Sequence, residues 1–117
     1  MMRRHLLEWQ WSDYAAKHRD RSNLLVHILA VPLFQAGMVI LVFAALRRST
    51  GAALLAAVCM VVGLAVQGRG HELEVETPTP FEGPVDFVTR FVAEQWVTFP
   101  RFVLSGGWAR NLRAAAR

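Results

Sequence analysis

The sequence has few of the features that would indicate thiol or nucleotide chemistry. Its single cysteine, Cys59, excludes a disulfide within the chain of 117 residues. Cys59 also lies in an apolar run, which is a poor environment for a nucleophilic thiolate. Gly68-x-Gly70 lacks the third glycine and the following helix of a dinucleotide-binding fingerprint. Neither cysteine catalysis nor nucleotide binding is therefore predicted.

Clusters of one charge sign are also missing. The net charge of +4 arises from 13 lysines and arginines that are scattered along the chain, which favours an anionic membrane surface over nucleic acid as a partner. The first twenty residues contain Glu8, Asp13 and Asp20 and no apolar segment, so we expect no cleavable signal peptide. Without repeats or low-complexity linkers, residues 1–117 are expected to form a single domain.

Hydrophobic residues make up 54% of the chain and the mean hydropathy is +0.29, which is high for a soluble domain of this size. Residues 24–46 carry no charge and would span roughly 34 Å as a helix, long enough to cross a bilayer. Residues 52–67 form a second, shorter uncharged run of roughly 24 Å. The polar turn between the runs predicts a transmembrane helical hairpin, with a kink at Pro32.

Two further helices are predicted to flank the hairpin. Residues 5–18 have an amphipathic pattern that ends at His18, and residues 84–104 form an aromatic-rich helix that starts near Pro84. We expect the second helix to lie in the interface or against the hairpin, with Arg90 and Glu94 as an exposed pair. The predicted fold is thus an all-α membrane protein, and the distribution of basic residues puts both termini in the cytoplasm.

His27 lies in the first apolar run, where an imidazole needs a polar partner. In an antiparallel hairpin, His18, Asn23 and His71 arrive at the same membrane face, and Glu74 can face the same way if its segment is helical. Imidazoles suit zinc, iron, copper and nickel, and two histidines with one carboxylate suit non-haem Fe(II). Each histidine also has an interpretation without a metal. His18 is then a surface residue of its helix, His27 bonds to a backbone carbonyl or to Asn23, and His71 lies in a solvated loop.

The order of these residues resembles a known family, the small integral-membrane 2-hydroxy fatty acid dioxygenase-like proteins. The similarity covers about residues 14 to 105 and ends in a proline-led aromatic segment, and its motif residues are His18, Asn23, His27, Pro32 and Gly70-His71-x-x-Glu74.

The resemblance implies an Fe(II)-dependent dioxygenase that shortens a 2-hydroxy fatty acid by one carbon. It implies His18, His27 and His71 as iron ligands, Glu74 as a ligand or supporting carboxylate, and Asn23 as an orienting partner. The acyl tail would lie between the hairpin and the C-terminal helix. Basic residues at the same face, namely Arg19, Arg21 or Arg69, would steer the carboxylate inward.

The sequence departs from the family pattern at Gln67-Gly68-Arg69, where an aromatic or aliphatic stretch is common. Two other classes of protein therefore stay open at this stage. One is a non-catalytic membrane protein whose histidines and Asn23 stabilise the hairpin or serve a protein partner. The other is a soluble helical bundle.

Overall fold

A computed structural model describes residues 3–115 and confirms the all-α prediction, since all regular elements in this range are helical. A 3₁₀ turn at Ala15–Lys17 and a π-helical turn at Glu94–Thr98 accompany six α-helices. The helices are α1 (Leu6–Ser12), α2 (Arg21–Arg47), α3 (Thr50–His71), α4 (Pro84–Ala93), α5 (Phe99–Leu104) and α6 (Gly107–Ala115).

Helices α2 and α3 form the predicted hairpin. Arg48 takes a left-handed conformation (φ 50°) at the end of α2, and the Ser49 hydroxyl caps α3 by accepting a hydrogen bond from the backbone N–H of Ala52 at 3.1 Å. The two helices approach closely, because a Cβ atom at Gly63 would lie 3.1 Å from Cβ of Phe34. Small residues therefore determine how tightly the hairpin packs.

Both hairpin helices are long and apolar enough to cross a membrane, by length and composition. Only 28% of the most apolar window of α2 and 17% of that of α3 is buried within the protein. Helix α3 extends beyond the predicted residues 52–67 to His71, which gives it 22 residues and a length of about 33 Å. Its final turn packs Gly70 against Asn23, where a larger residue would overlap the Asn23 side-chain oxygen.

The helix predicted over residues 5–18 is interrupted. Helix α1 ends at Ser12, because Asp13 (φ −130°, ψ 15°) leaves the helical conformation, and the 3₁₀ turn follows. His18 comes directly after that turn, with an extended φ of −135°. This break directs the His18 side chain inward, where it is buried.

The helix predicted over residues 84–104 contains the π-helical turn between α4 and α5, where the N–H of Phe99 donates to the carbonyl of Glu94. In that register the next carbonyl, of Gln95, would meet Pro100, which has no N–H. The side-chain amide of Gln35 in α2 donates to the Gln95 carbonyl instead, at 2.6 Å. This hydrogen bond connects α2 to the π turn.

Helix α6, which the sequence pattern did not predict, packs back against the hairpin. Its Trp108 indole donates to the carbonyl of Leu24 at 2.9 Å. Trp108 also contacts a buried core formed by Tyr14, Leu24, Val31, Phe99 and Phe102. Helices α2, α5 and α6 thus enclose the histidines from one side.

Candidate metal centre

Three histidines that are distant in sequence converge with one glutamate. His18 follows the 3₁₀ turn, His27 lies in the second turn of α2, His71 ends α3 and Glu94 begins the π turn. One potential ligand atom from each residue lies within 4.8 Å of those from the other three. The sequence analysis predicted the meeting of His18, His27 and His71, and the structure places them together.

Hydrogen bonds fix the orientation of two of the rings. Nδ1 of His18 donates to the carbonyl of Tyr14 at 2.7 Å, and Nδ1 of His27 donates to the carbonyl of Asn23 at 3.0 Å. A carbonyl only accepts hydrogen bonds, so each Nδ1 carries the proton and Nε2 of the neutral ring presents a lone pair. Both Nε2 atoms, and Nδ1 of His71, are buried with no hydrogen-bond partner among the described residues.

Oε2 of Glu94 lies 3.4 Å from Nε2 of His18 and 3.6 Å from Nε2 of His27. Two nitrogen or oxygen ligands of one transition-metal ion, each at about 2.0–2.2 Å, are about 3 to 3.6 Å apart. Burial raises the pKa of the Glu94 carboxyl, but hydrogen bonds from the imidazoles of His18 and His27, when these rings are protonated, lower it by a larger amount, so that its pKa lies well below the usual value. The site therefore joins an anionic oxygen with unpaired ring nitrogens, which suits a divalent cation.

Tyr14, the only tyrosine of the chain, supports this cluster. Its hydroxyl donates to Oε2 of Glu94 at 2.6 Å, and its ring stacks on His18 with centroids 3.8 Å apart. Burial and the Glu94 carboxylate raise the pKa of the phenol well above its ordinary value, so Tyr14 stays a hydrogen-bond donor. It fixes one carboxylate oxygen while leaving the ring nitrogens of the histidines available.

Glu74 and Asn23 lie next to the cluster rather than in it. The Glu74 carboxylate accepts hydrogen bonds from the backbone N–H groups of Arg19 and Asp20 and, at 2.6 Å, from the side-chain amide of Asn23. The structure thus places Glu74 at the N-terminus of α2, where a negative charge is stabilised. Glu94, and not Glu74, lies beside the three histidines. Asn23 orients His27 through its backbone carbonyl.

Glu94 was not predicted as a site residue, and its expected pairing with Arg90 is wrong. The Arg90 guanidinium instead binds Asp86 one turn earlier, at 3.2 Å. A signal for Glu94 was nevertheless present in the sequence, because it follows Phe87 and Phe91 at helical spacing and interrupts their apolar stripe. A carboxylate on an otherwise aromatic helix face is expected to meet a buried partner.

A cavity of about 360 Å³ adjoins the cluster and is bounded by α1, α3, α4 and the loop before α4. His18, His71 and Glu94 form part of its wall, and Leu64 and several aromatic residues form another part. The aromatic side chains that line it are Trp9, Tyr14, Phe81, Phe87 and Phe91. A cavity of this size and lining suits a small apolar ligand whose polar end faces the histidines.

Fold and site together define a small helical protein that has an apolar hairpin and a buried cluster of three histidines and one carboxylate. The chain belongs to the family described as "2-hydroxy-palmitic acid dioxygenase Mpo1-like", whose model matches residues 5–102. This match confirms the resemblance seen in the sequence and includes all four cluster residues. A search of curated proteins and a search of solved structures each returned no match.

Proposed function

We propose that the protein is an Fe(II)-dependent dioxygenase that acts on 2-hydroxy fatty acids and shortens them by one carbon. The observation that carries the proposal is the convergence of unpaired, buried histidine nitrogens and the Glu94 carboxylate beside an apolar cavity. The family description supplies the reaction class and the substrate class.

His18, His27, His71 and Glu94 would hold the iron, and Glu74 with Asn23 would support the ligands from outside. Ferrous iron, when bound, supplies the redox chemistry that O₂ needs to react with an organic substrate. The carbonyls of Tyr14 and Asn23 keep the rings of His18 and His27 oriented. The protein thereby presents its donor atoms in a fixed arrangement.

The cavity would hold the acyl part of the substrate. Leu64 of α3 and Phe87 and Phe91 of α4 line it and exclude water from the chain, while His71 and Glu94 line it next to the cluster. A 2-hydroxy acid carries two adjacent oxygens at one end and an apolar chain along the rest. Its chemistry therefore matches both parts of the cavity wall.

The hairpin would place this site at a membrane surface. Helices α2 and α3 would span the bilayer, with their outward-facing leucines and valines in contact with lipid. Both chain termini would lie in the cytoplasm, where the arginines outside the hairpin meet anionic headgroups. A fatty acid dissolved in the bilayer would reach the cavity without crossing bulk water.

The metal content of the full chain, purified anaerobically in detergent, tests the first part of the proposal. We expect about one iron per chain and a large loss of iron in His27→Ala. Stoichiometric iron in the variant that lacks both His27 and His71 would contradict the site.

Oxygen consumption tests the reaction. We expect consumption with 2-hydroxyhexadecanoic acid and none with hexadecanoic acid, because only the first offers adjacent hydroxyl and carboxylate oxygens. Iron-loaded protein that consumes no oxygen with either acid would identify the cluster as a structural site in a non-catalytic membrane protein.

A further inference from the structure

Lys17, the only lysine of the chain, lies at the same cavity as the histidine cluster. It ends the 3₁₀ turn directly before His18, and its side chain is only 16% exposed. The cavity wall therefore includes one ammonium group together with the His71 ring. The wall also contains Arg90 and the carboxylates of Asp13, Glu72 and Glu94, so an anionic ligand would bind at one of its two cationic side chains.

The ammonium of Lys17 has capacity for another hydrogen bond. It donates to Oδ2 of Asp13 at 2.8 Å and to the hydroxyl of Thr79 at 3.2 Å. A lysine has three N–H donors, so within the described part of the chain one remains available. Asp13 is 48% exposed and holds Lys17 only one helical turn away, so a competing carboxylate can share or replace this partner.

The other basic side chains do not fill this role. Arg90 also lines the cavity, but its guanidinium is bound to Asp86 and to the carbonyls of Thr79 and Pro80. The arginines expected to steer a carboxylate inward are all exposed, and the cavity lining does not include them; they are Arg19, Arg21 and Arg69. Among the lysines and arginines of residues 3–115 that line the cavity, Lys17 is the one whose carboxylate partner is half-exposed and can be displaced, since the Asp86 partner of Arg90 is fully buried.

The apolar part of the wall has a direction. Phe87, Phe91 and Glu94 follow one another at positions i, i+4 and i+7, so this face leads from aromatic rings to the histidine cluster over about 10 Å. Phe81 packs on Phe87 with ring centroids 4.8 Å apart and adds to the apolar surface of the cavity. A ligand that fits therefore has a charged head near the cluster and an apolar tail along α4.

We propose that Lys17 binds the carboxylate of a fatty acid in this cavity and so makes the site selective for free acids over uncharged lipids. The 2-hydroxy group of the ligand rests on the proposed function, whereas the recognition of the acid rests on Lys17 itself. When no acid is bound, the Asp13 carboxylate is the counter-ion of the Lys17 ammonium.

Binding of labelled 2-hydroxyhexadecanoic acid and of its methyl ester to the full chain in detergent, with a chelator present so that no iron contacts the carboxylate, measures this selectivity. We expect the wild type to prefer the acid about tenfold, the affinity ratio that a charge-assisted hydrogen bond provides. Lys17→Gln should remove that preference by weakening the acid and leaving the ester unchanged. Arg21→Gln, which removes an exposed arginine outside the cavity, is the matched control and should keep the wild-type preference.

Asp13→Asn distinguishes ligand recognition from a structural ion pair. If Lys17 meets the ligand, loss of its counter-ion strengthens acid binding, opposite to the effect of Lys17→Gln. If the Lys17–Asp13 pair only stabilises the fold, both variants weaken acid and ester together, which would overturn the proposal. Equal binding of acid and ester by the wild type would also overturn it.

Protection of the lysine gives a second readout. Because Lys17 is the only lysine, modification of its amine by an acylating reagent is assigned unambiguously by mass spectrometry. We expect the acid, but not the ester, to slow the modification, and equal rates would contradict the proposal. Neither readout needs turnover, so acid preference without oxygen consumption would contradict the proposed reaction and leave the Lys17 assignment intact.

Discussion

The hydroxyl of Tyr14 donates a 2.6 Å hydrogen bond to the same Glu94 oxygen that lies 3.4 Å from Nε2 of His18. Tyr14 also supplies the backbone carbonyl that orients the His18 ring. One residue thus positions two of the four proposed ligands, through two different groups.

We predict that Tyr14→Phe weakens iron binding about 10- to 100-fold, the usual effect of losing a hydrogen bond to a metal ligand. The backbone carbonyl and the stacked ring remain, so the stability of the protein should change little. Iron titration with a competing chelator measures the change. Trp11→Phe, at the edge of the same core but without a hydrogen bond to Glu94, is the control, and an unchanged iron affinity in Tyr14→Phe would contradict the prediction.

The two glutamates near the histidines should behave differently. Glu94→Gln removes the charged oxygen from the cluster, so we expect a large loss of bound iron. Glu74→Gln weakens hydrogen bonds at the start of α2, and we expect it to keep iron but to lower the free energy of unfolding by about 1–3 kcal/mol. Metal analysis and thermal unfolding of both variants make the comparison, and the reverse pattern would identify Glu74 as the ligand.

Gln67 and Gln95 should show strong energetic coupling. Their buried side-chain amides exchange two hydrogen bonds, of 2.9 and 2.8 Å, between α3 and the π turn. Gln67→Leu leaves the Gln95 amide buried without this partner, which costs about 1–3 kcal/mol. We expect the double variant Gln67→Leu/Gln95→Leu to be less destabilised than the sum of the single variants, by about 0.5–3 kcal/mol. Additive effects in a denaturation series would show that the pair is not coupled.

Asp86 should make stability depend on acid pH. Its buried carboxylate accepts a hydrogen bond from the backbone N–H of Glu82 and pairs with Arg90 and Arg3, and together these partners lower its pKa. The unfolded chain therefore binds the proton more readily, so this contribution is complete above the ordinary Asp pKa of about 3.9 and is lost as the pH falls through the lower folded-state pKa.

Melting temperatures between neutral and strongly acidic pH test this expectation. Asp86→Asn should lower the melting temperature at neutral pH, and its difference from the wild type should shrink as the pH falls. A difference that stays constant over the whole range would contradict the assignment.

The sequence predicted the meeting of the three histidines because an antiparallel hairpin leaves little choice. His27 near the start of α2 and His71 at the end of α3 must lie at the same end, and His18 lies three residues before α2. The choice between Glu74 and Glu94 could not be made in the same way. It depends on how α4 packs across the hairpin and on the capping of α2 by Glu74, both of which are tertiary contacts.

The helix boundaries, too, were only partly predictable from the sequence. Hydropathy identified both apolar helices, but it ended the second at residue 67, because the uncharged run ends there and the next residues include Arg69. The last turn, Gly68 to His71, has low helix propensity and is held by packing of Gly70 on Asn23. The helix predicted over residues 84–104 is interrupted by a π turn just before Pro100. The Gln35 amide that satisfies the freed carbonyl lies 60 residues away in sequence, beyond the reach of any local pattern.

The π turn determines how many residues must separate Glu94 from the phenylalanines that follow it. Because it contains one residue more than an α-helical turn, Glu94 and Phe99 occupy one face, and Phe99 and Phe102 pack near His27 and His18. Deletion of any one of residues 95 to 97 would restore a regular α-helix. The residues that follow would then be rotated by about 100° about the helix axis relative to Glu94. The geometry of the site therefore depends on the number of residues between the glutamate and the following phenylalanines as much as on the identity of these residues.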